Sequence, residues 1–412
     1  MTTLQIQAEP TARGHLPGTR AYRRVVIALF LGGVATFSLI YSTQALLPEL
    51  ATSFHVGASS SALTMSLTTL GLGMALLVAG PISDVVGRTR LIHASLLAST
   101  VLGLACAAAP TWPSLLLLRF LSGVALAGLP AVATAYLREE LDPSTHARVT
   151  GLYIGGTAIG GMTGRLVTGA VADVAGWRSA LLAAGVVGIA CTLAVRLLLP
   201  ASQHFVPQGP QVRAILERTR RSMADPALLA LYGVGGCAAG VQLAIMNTIG
   251  FRLEAAPFHF GVGVASLIFL VYPIGSLSSA TFGRLADRYG RRAVLPIGCL
   301  LAVAGALLSL PTALGTMIAG IALLVAGFFG IHGVVSGWIP ARAHAGGVPT
   351  AQAASLYLFA YYLGASVFGD SGSWTWSHYQ WHGVVVLAVG LLTVTTVLAV
   401  LLRRTPALGA GR

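Results

Sequence analysis

The chain has 412 residues, of which 55% are hydrophobic and only 9% charged, against roughly 25% charged in an ordinary soluble domain. A water-soluble globule of this length needs far more polar surface, which excludes a soluble enzyme, a disordered chain and a disulfide-rich secreted domain. The net charge of +13 comes from 25 basic residues, all arginine, against 12 acids. The arginines are spread between apolar runs, so the charge is no nucleic-acid footprint.

A membrane-spanning helix needs roughly 20 mostly apolar residues. Twelve such runs follow in chain order: 25–47, 60–82, 91–109, 114–136, 150–171, 179–199, 227–250, 263–283, 293–310, 314–338, 351–373 and 383–402. The pattern predicts an all-α polytopic membrane protein. The polar stretch 1–24 is expected to be a disordered cytoplasmic N-terminus, and 403–412 a cytoplasmic tail. The first run is too long for a cleaved signal peptide and lacks a small-residue cleavage site. Most loops are short, with Pro110, Pro113, Pro143 and Pro311 at turns. The exception is 201–226, which is polar and holds Arg213, Arg218, Arg220 and Arg221. Its part 211–224 reads either as an amphipathic helix on the membrane surface or as a flexible tether. Cys106, Cys191, Cys237 and Cys299 lie in apolar runs without metal or redox spacing, as small apolar fillers.

Arginine placement sets the orientation. With the N-terminus inside, only Arg178 and Arg252 fall outside, and Arg119 and Arg165 stay within the membrane. The rest fall inside or at the inner boundary, as the positive-inside rule requires. Both termini are then cytoplasmic, in an inner membrane.

Two loops carry one pattern. Gly80-Pro81-Ile82-Ser83-Asp84-Val85-Val86-Gly87-Arg88-Thr89-Arg90 follows the second run, and Gly283-Arg284-Leu285-Ala286-Asp287-Arg288-Tyr289-Gly290-Arg291-Arg292 follows the eighth. Matching positions are offset by 203 residues. The chain therefore reads as two six-helix halves, 25–200 and 227–402, joined by the 201–226 linker, a duplication typical of secondary transporters. The loops resemble the signature loop of the major facilitator superfamily, G-x-L-A-D-R-x-G-R-R. The second copy matches throughout, whereas the first has Val85 and Thr89 where basic residues are usual. The resemblance implies the major facilitator fold of two pseudo-symmetric halves. It also implies a gating role for Gly80, Asp84, Gly87, Arg88, Gly283, Asp287, Arg288, Gly290 and Arg291. In that role Asp84 faces the start of span eleven near Thr350, and Asp287 the start of span five near Thr150.

Arg119 and Arg165 lie at matched depth, ~8–9 Å below the outer boundary at about 1.5 Å per residue. Intramembrane arginine costs roughly 2.5–3.5 kcal/mol near the centre, so the pair points to a shared polar cavity; snorkelling to the outer interface is the alternative. Arg119-Phe120-Leu121-Ser122-Gly123 resembles the fourth-helix motif R-x-x-Q-G, whose arginine is associated with proton coupling in drug antiporters. Span five has Arg165 where the antiporter motif has proline. Gly160-Gly161-Met162-Thr163-Gly164-Arg165-Leu166, Leu46-Leu47-Pro48 and the run Ser355 to Gly364 are similar to the YnfM-like subgroup of bacterial inner-membrane transporters.

No acid lies mid-membrane. Asp370, near the outer end of span eleven, is the best proton carrier if an arginine faces it; Arg119 and His332 complete the proton candidates. Tyr41, Gln44, Gln242, Asn247, Tyr357 and Tyr361, with Arg119 and Arg165, are the candidate substrate contacts; helix–helix hydrogen bonding is the alternative for each. Two buried arginines favour an anionic substrate, unless Asp370 and Glu49 neutralise them. The expected function is a monomeric secondary transporter in contact with membrane lipids. It would use alternating access, with proton-coupled efflux of a small organic solute. An uptake permease or uniporter of the same fold, and a solute sensor that does not transport, are the alternatives. No HExxH, GxSxG, DxD or Walker A sequence occurs, so neither an enzyme nor an ATP-driven pump is expected, and no cofactor or nucleic-acid partner.

Overall fold

A computed structural model describes residues 14–205, 207 and 212–405, and the side chains of 212–215 are not among those described. Ten helices among them are long and apolar enough to cross a membrane. Two of these, Pro143–Leu198 and Thr350–Arg404, run 56 and 55 residues. At ~1.5 Å per residue each far exceeds a hydrocarbon core of ~30 Å. Each is broken once, at Gly176 (φ 78°) and at Gln380 (φ 52°). Each therefore supplies two spans, and the hydropathy count of twelve stands.

Other spans are interrupted within the membrane. The first runs as helix Arg20–Tyr41, a 3-10 turn Gln44–Leu46 and helix Leu47–Ser53. The eighth runs as Val262–Ser266, a 3-10 stretch Leu267–Val271 and helix Tyr272–Tyr289. Pro48 and Pro273 open the helix that follows each break, where a missing N–H costs nothing.

Small residues set the packing within each half. Span five presents Gly156, Gly160 and Gly164 to span one. A Cβ at these positions would lie 2.3, 2.5 and 2.4 Å from the carbonyl oxygens of Phe30, Val34 and Ser38. Only bare backbone fits there, and the two helices touch along four-residue steps. Spans seven and eleven repeat the pairing in the second half, where a Cβ on Gly364 would lie 2.1 Å from the Gly236 oxygen. The second half encloses a core that includes Leu231, Ile245, Leu295, Leu324 and Val384. The first half has cores around Leu29, Ile92 and Tyr136 and around Leu50, Cys106 and Trp177.

The halves meet through span two on span eleven and span five on span eight. Their contact is tight at the end far from the signature loops. There Ser59 Oγ donates to Asp370 Oδ1 (3.3 Å), Ser366 Oγ to the Ser66 carbonyl (2.7 Å) and Gly263 N to Asp173 Oδ1 (3.2 Å). A Cβ on Gly169 would strike Ser266 at 2.4 Å. Toward the loop end the same helices part: a Cβ on Gly80, Gly151, Gly155 or Gly283 would meet nothing within 4 Å.

The linker is fastened to both halves. Buried Glu140 Oε1 accepts from Gln203 N (2.7 Å) and His204 N (3.0 Å). Of the stretch 211–224, helix Val212–Ala224 occupies the described residues, the helical alternative and not the tether. It rests on the second half through Gln352 Nε2 to Thr219 Oγ1 (2.9 Å). For the N-terminal stretch expected to be disordered, 1–13 lie outside the described residues, as do 406–412 of the tail. From residue 14 the chain is placed, with His15 N donating to the Glu140 carbonyl at 2.7 Å and the first helix starting at Arg20.

Candidate functional site

The break after Tyr41 leaves the last carbonyls of the first helix without intrahelical partners. Arg119 answers them. Its Nη1 donates to the Leu39 oxygen (3.2 Å) and to Ser42 Oγ (3.4 Å), its Nη2 to the Ile40 oxygen (2.8 Å), and its Nε to the Thr64 oxygen in span two (3.3 Å). A cation at a helix C-terminus is also favoured by the macrodipole. Arg119 is thus the cap of a broken helix.

Arg165 sits on the other side of the same break, fully buried. Its Nε donates to Gln44 Oε1 (2.6 Å), Nη1 to the Gly161 oxygen (2.7 Å) and Nη2 to Tyr272 Oη (3.0 Å). The guanidinium carbon lies 3.8 Å from the Tyr41 ring centre, 4.4 Å from that of Tyr272 and 5.0 Å from that of Phe269. No carboxylate forms an ion pair with it among the described residues. Gln44 Nε2 donates onward to Asn247 Oδ1 (2.6 Å), and Gln242 Nε2 donates to Tyr272 Oη (3.1 Å). Two buried polar atoms of this group, Gln242 Oε1 and Asn247 Nδ2, have no partner. Unpaired buried polar groups cost about 1–3 kcal/mol each, and sites that receive ligands are where such a cost persists.

Tyr357 and Tyr361 belong to a neighbouring aromatic group. Tyr357 Oη and His332 Nδ1 are 2.7 Å apart. The His332 ring stacks between Phe328 (6.1 Å) and Tyr357 (5.8 Å), with Tyr361 at 5.1 Å. Tyr361 and Tyr41 pack together on Ala239 and Leu243 of span seven. Tyr41, Phe37, His332 and Tyr361 are half-buried, whereas the Arg165 group behind Tyr41 is sealed. The partly exposed aromatic residues therefore lie outside the sealed Arg165 group, with Tyr41 between the two.

Tyr41, Gln44, Arg165, Gln242 and Asn247 are thus brought together as one site, with Tyr357, Tyr361 and His332 beside it. Arg119 stands apart, and the two arginines flank one helix break instead of sharing one cavity. Asp370 faces Ser59 where an arginine was expected. Tyr272 and Phe269 were not singled out from the sequence; Tyr272-Pro273 inside an apolar run was the available signal.

The signature loops turn through Gly87 (φ 99°) and Gly290 (φ 86°), a conformation that favours glycine. Asp84 forms an ion pair with Arg88, which also pairs with Glu139 at 3.1 Å, and not with the start of span eleven. Asp287, Arg291 and Arg292 line a crevice of about 810 Å³ with Trp338, Arg342 and Arg403. Neither aspartate crosses to the other half, which fits halves that are parted at this end.

The family profile of the Major Facilitator Superfamily matches residues 29–369. The MFS-type transporter YybF of Bacillus subtilis is 38% identical over 377 residues, covering 92% of this chain and 93% of that protein. The inner membrane transport protein YnfM of Escherichia coli is 37% identical over 387 residues, covering 94% and 92%. A bacterial homolog of the human lysosomal transporter Spinster, solved in an inward-facing and unoccupied conformation, superposes with a TM-score of 0.77. It is 16% identical, over 93% of this chain and 97% of that one. With twelve spans, duplicated signature loops and this similarity along nearly its whole length, the chain belongs to the major facilitator superfamily: it is a multi-pass membrane transporter and not an enzyme.

Proposed function

We propose that the chain is a secondary active transporter that exports a small organic anion across the bacterial inner membrane in exchange for protons. The two halves, 25–200 and 227–402, rock about the Arg165 site while the 201–226 linker tethers them. Signature-loop residues Asp84 and Asp287 latch the loop end when it closes. The observation that carries the reading is Arg165: an arginine sealed without a carboxylate at the blind end of an interior that is open on one side. Arginine bias puts that open side in the cytoplasm, where a solute for export is loaded.

Protons are assigned to Asp370 and His332. Asp370 holds Ser59 across the far-end seam, so neutralising it weakens that seam and couples protonation to opening. The transporter acts as a monomer, with loop-end arginines against lipid phosphates.

Inside-out vesicles with an imposed pH gradient test this. Solute-dependent proton efflux is expected in the wild type, and its loss in Asp370→Asn with solute exchange retained. Gradient-independent flux in both would make the chain a uniporter. Binding without flux would make it a sensor. Asp84→Asn is expected to impair transport at equal membrane abundance.

A further inference from the structure

We infer that the Arg165 site takes small aromatic monocarboxylates, and that Tyr41 is the lid through which they enter. The inference rests on the transport reading for its purpose but not for its geometry.

A guanidinium has five N–H donors. Arg165 spends three, on Gln44, Gly161 and Tyr272. The other two have no acceptor among the described residues apart from Tyr41, whose ring centre lies 3.8 Å from the guanidinium carbon. A buried cation held only by neutral partners has its charge uncompensated, and a single carboxylate is the group that balances it with paired hydrogen bonds. Asn247 Nδ2, buried and unpartnered among the described residues, is a further donor of the same polar group, beside Gly369 of span eleven. Gln242 Oε1, equally buried and unpartnered, is an acceptor and suits a hydroxyl on the bound molecule.

Tyr41 is half-exposed to the interior, and it covers Arg165. It is the last residue of helix Arg20–Tyr41, immediately before the break. Its displacement uncovers the two N–H groups and costs one cation–π contact, which the incoming carboxylate outweighs. The space outside the lid is bounded by rings, Tyr361 and His332 among them. An aromatic body attached to the carboxylate stacks there, whereas an alkyl body loses the ring–ring contacts.

The test is ligand-induced thermal stabilisation and calorimetric titration of the purified full-length protein, with benzoate, 4-hydroxybenzoate, benzamide, cyclohexanecarboxylate and acetate as probes. Benzoate is expected to bind at least about tenfold tighter than its neutral isostere benzamide and than cyclohexanecarboxylate. Acetate should bind weakest, and 4-hydroxybenzoate, whose hydroxyl lies across the ring from the carboxylate and so away from Gln242, should gain nothing over benzoate. Arg165→Gln should erase the preference for benzoate over benzamide. Tyr361→Leu leaves the cation in place and should erase the preference for benzoate over cyclohexanecarboxylate. It decides the matter if Arg165→Gln fails to fold. Equal binding of benzoate and benzamide by the wild type, or an unchanged ring preference in Tyr361→Leu, overturns the inference. Flux of another solute without benzoate binding sinks the substrate class and leaves the transport reading. Benzoate binding without gradient-driven flux does the reverse.

Discussion

Gln44 and Asn247 stand 203 residues apart, the offset that relates the two signature loops, and their side-chain amides hydrogen-bond at 2.6 Å. They are equivalent positions of the repeat meeting each other. Such self-pairing is possible only at the pseudo-twofold axis, where a residue faces its own counterpart. The axis therefore passes through the polar group around Arg165, and closure of the far end is centred on this pair.

Removing that pair should loosen the far end. Gln44→Leu deletes the bond and leaves both Asn247 Oδ1 and the Arg165 Nε–H buried without that partner, a cost of about 1–3 kcal/mol each to the closed arrangement. A cysteine replacing Ser66, now buried in the span two–span eleven seam, should react faster with an impermeant maleimide added on the far side. The gain should be about tenfold if the closed state loses ~1.4 kcal/mol. An unchanged rate would show that the pair does not hold the seam.

Arg119 and Arg165 should separate by assay. Arg119→Ala takes a donor from the carbonyls of Leu39, Ile40 and Thr64, of which Leu39 keeps Ser42 Oγ and Thr64 keeps Thr68 Oγ1, and should lower stability by about 1–3 kcal/mol. Unfolding temperature in detergent should fall, with partial recovery in Arg119→Lys. A fully stable Arg119→Ala protein would refute the capping role.

The glycine contacts make a sharp contrast within one helix. Gly160→Val drives a side chain into the Val34 carbonyl and should abolish accumulation in the membrane. Gly155→Ala, with nothing within 4 Å of its Cβ, should be tolerated and gain about 0.5–1 kcal/mol from helix propensity. Blots of membrane fractions distinguish the two.

Asp225 gives a pH prediction outside the membrane spans. Burial pushes its carboxyl upward, but the Arg342 guanidinium, at 2.8 Å, and the Ala227 N–H outweigh this and hold it below the usual value. A folded-state pKa lower than the unfolded one stabilises the protein above the unfolded value of ~3.9, and the gain vanishes as pH falls through the lowered value. Asp225→Asn should therefore be less stable than wild type by about 1–3 kcal/mol near neutrality. The gap should close in acid below about pH 4. A gap that is constant with pH would exclude the ion pair as its source.

Buried Glu140 holds the linker by its backbone N–H groups. Glu140→Gln replaces charge-assisted bonds with neutral ones and should cost the strap about 1 kcal/mol. Limited trypsin cleavage between the halves should quicken. No change in cleavage would place the strap's anchorage elsewhere.

Much of this was legible in the residues. Apolar run lengths gave the twelve spans, including the two helices that stay continuous past the membrane, because the Gly176 and Gln380 kinks coincide with polar turns. The loops at Asp84 and Asp287 announced the duplication. The four-residue glycine spacing of span five marks a bare face for close packing, and the structure supplies span one as its partner. Depth alone could not tell Arg119 from Arg165. In the sequence they are the same kind of residue at the same level.

What the sequence determined by itself is everything that hydrophobicity and backbone sterics fix locally: helices, their number, their bare-backbone seams and the repeat. The tertiary structure alone decided which polar side chains meet. Spans apolar on nearly every side carry no pattern to fix their rotation. The breaks at 42–46 and 267–271 also swing the chain in ways that residue spacing does not record. Only when spans one, four, five, seven and eight are packed does Arg119 reach the carbonyls at the break, and Arg165 the Tyr41 ring with no ion-paired acid among the described residues.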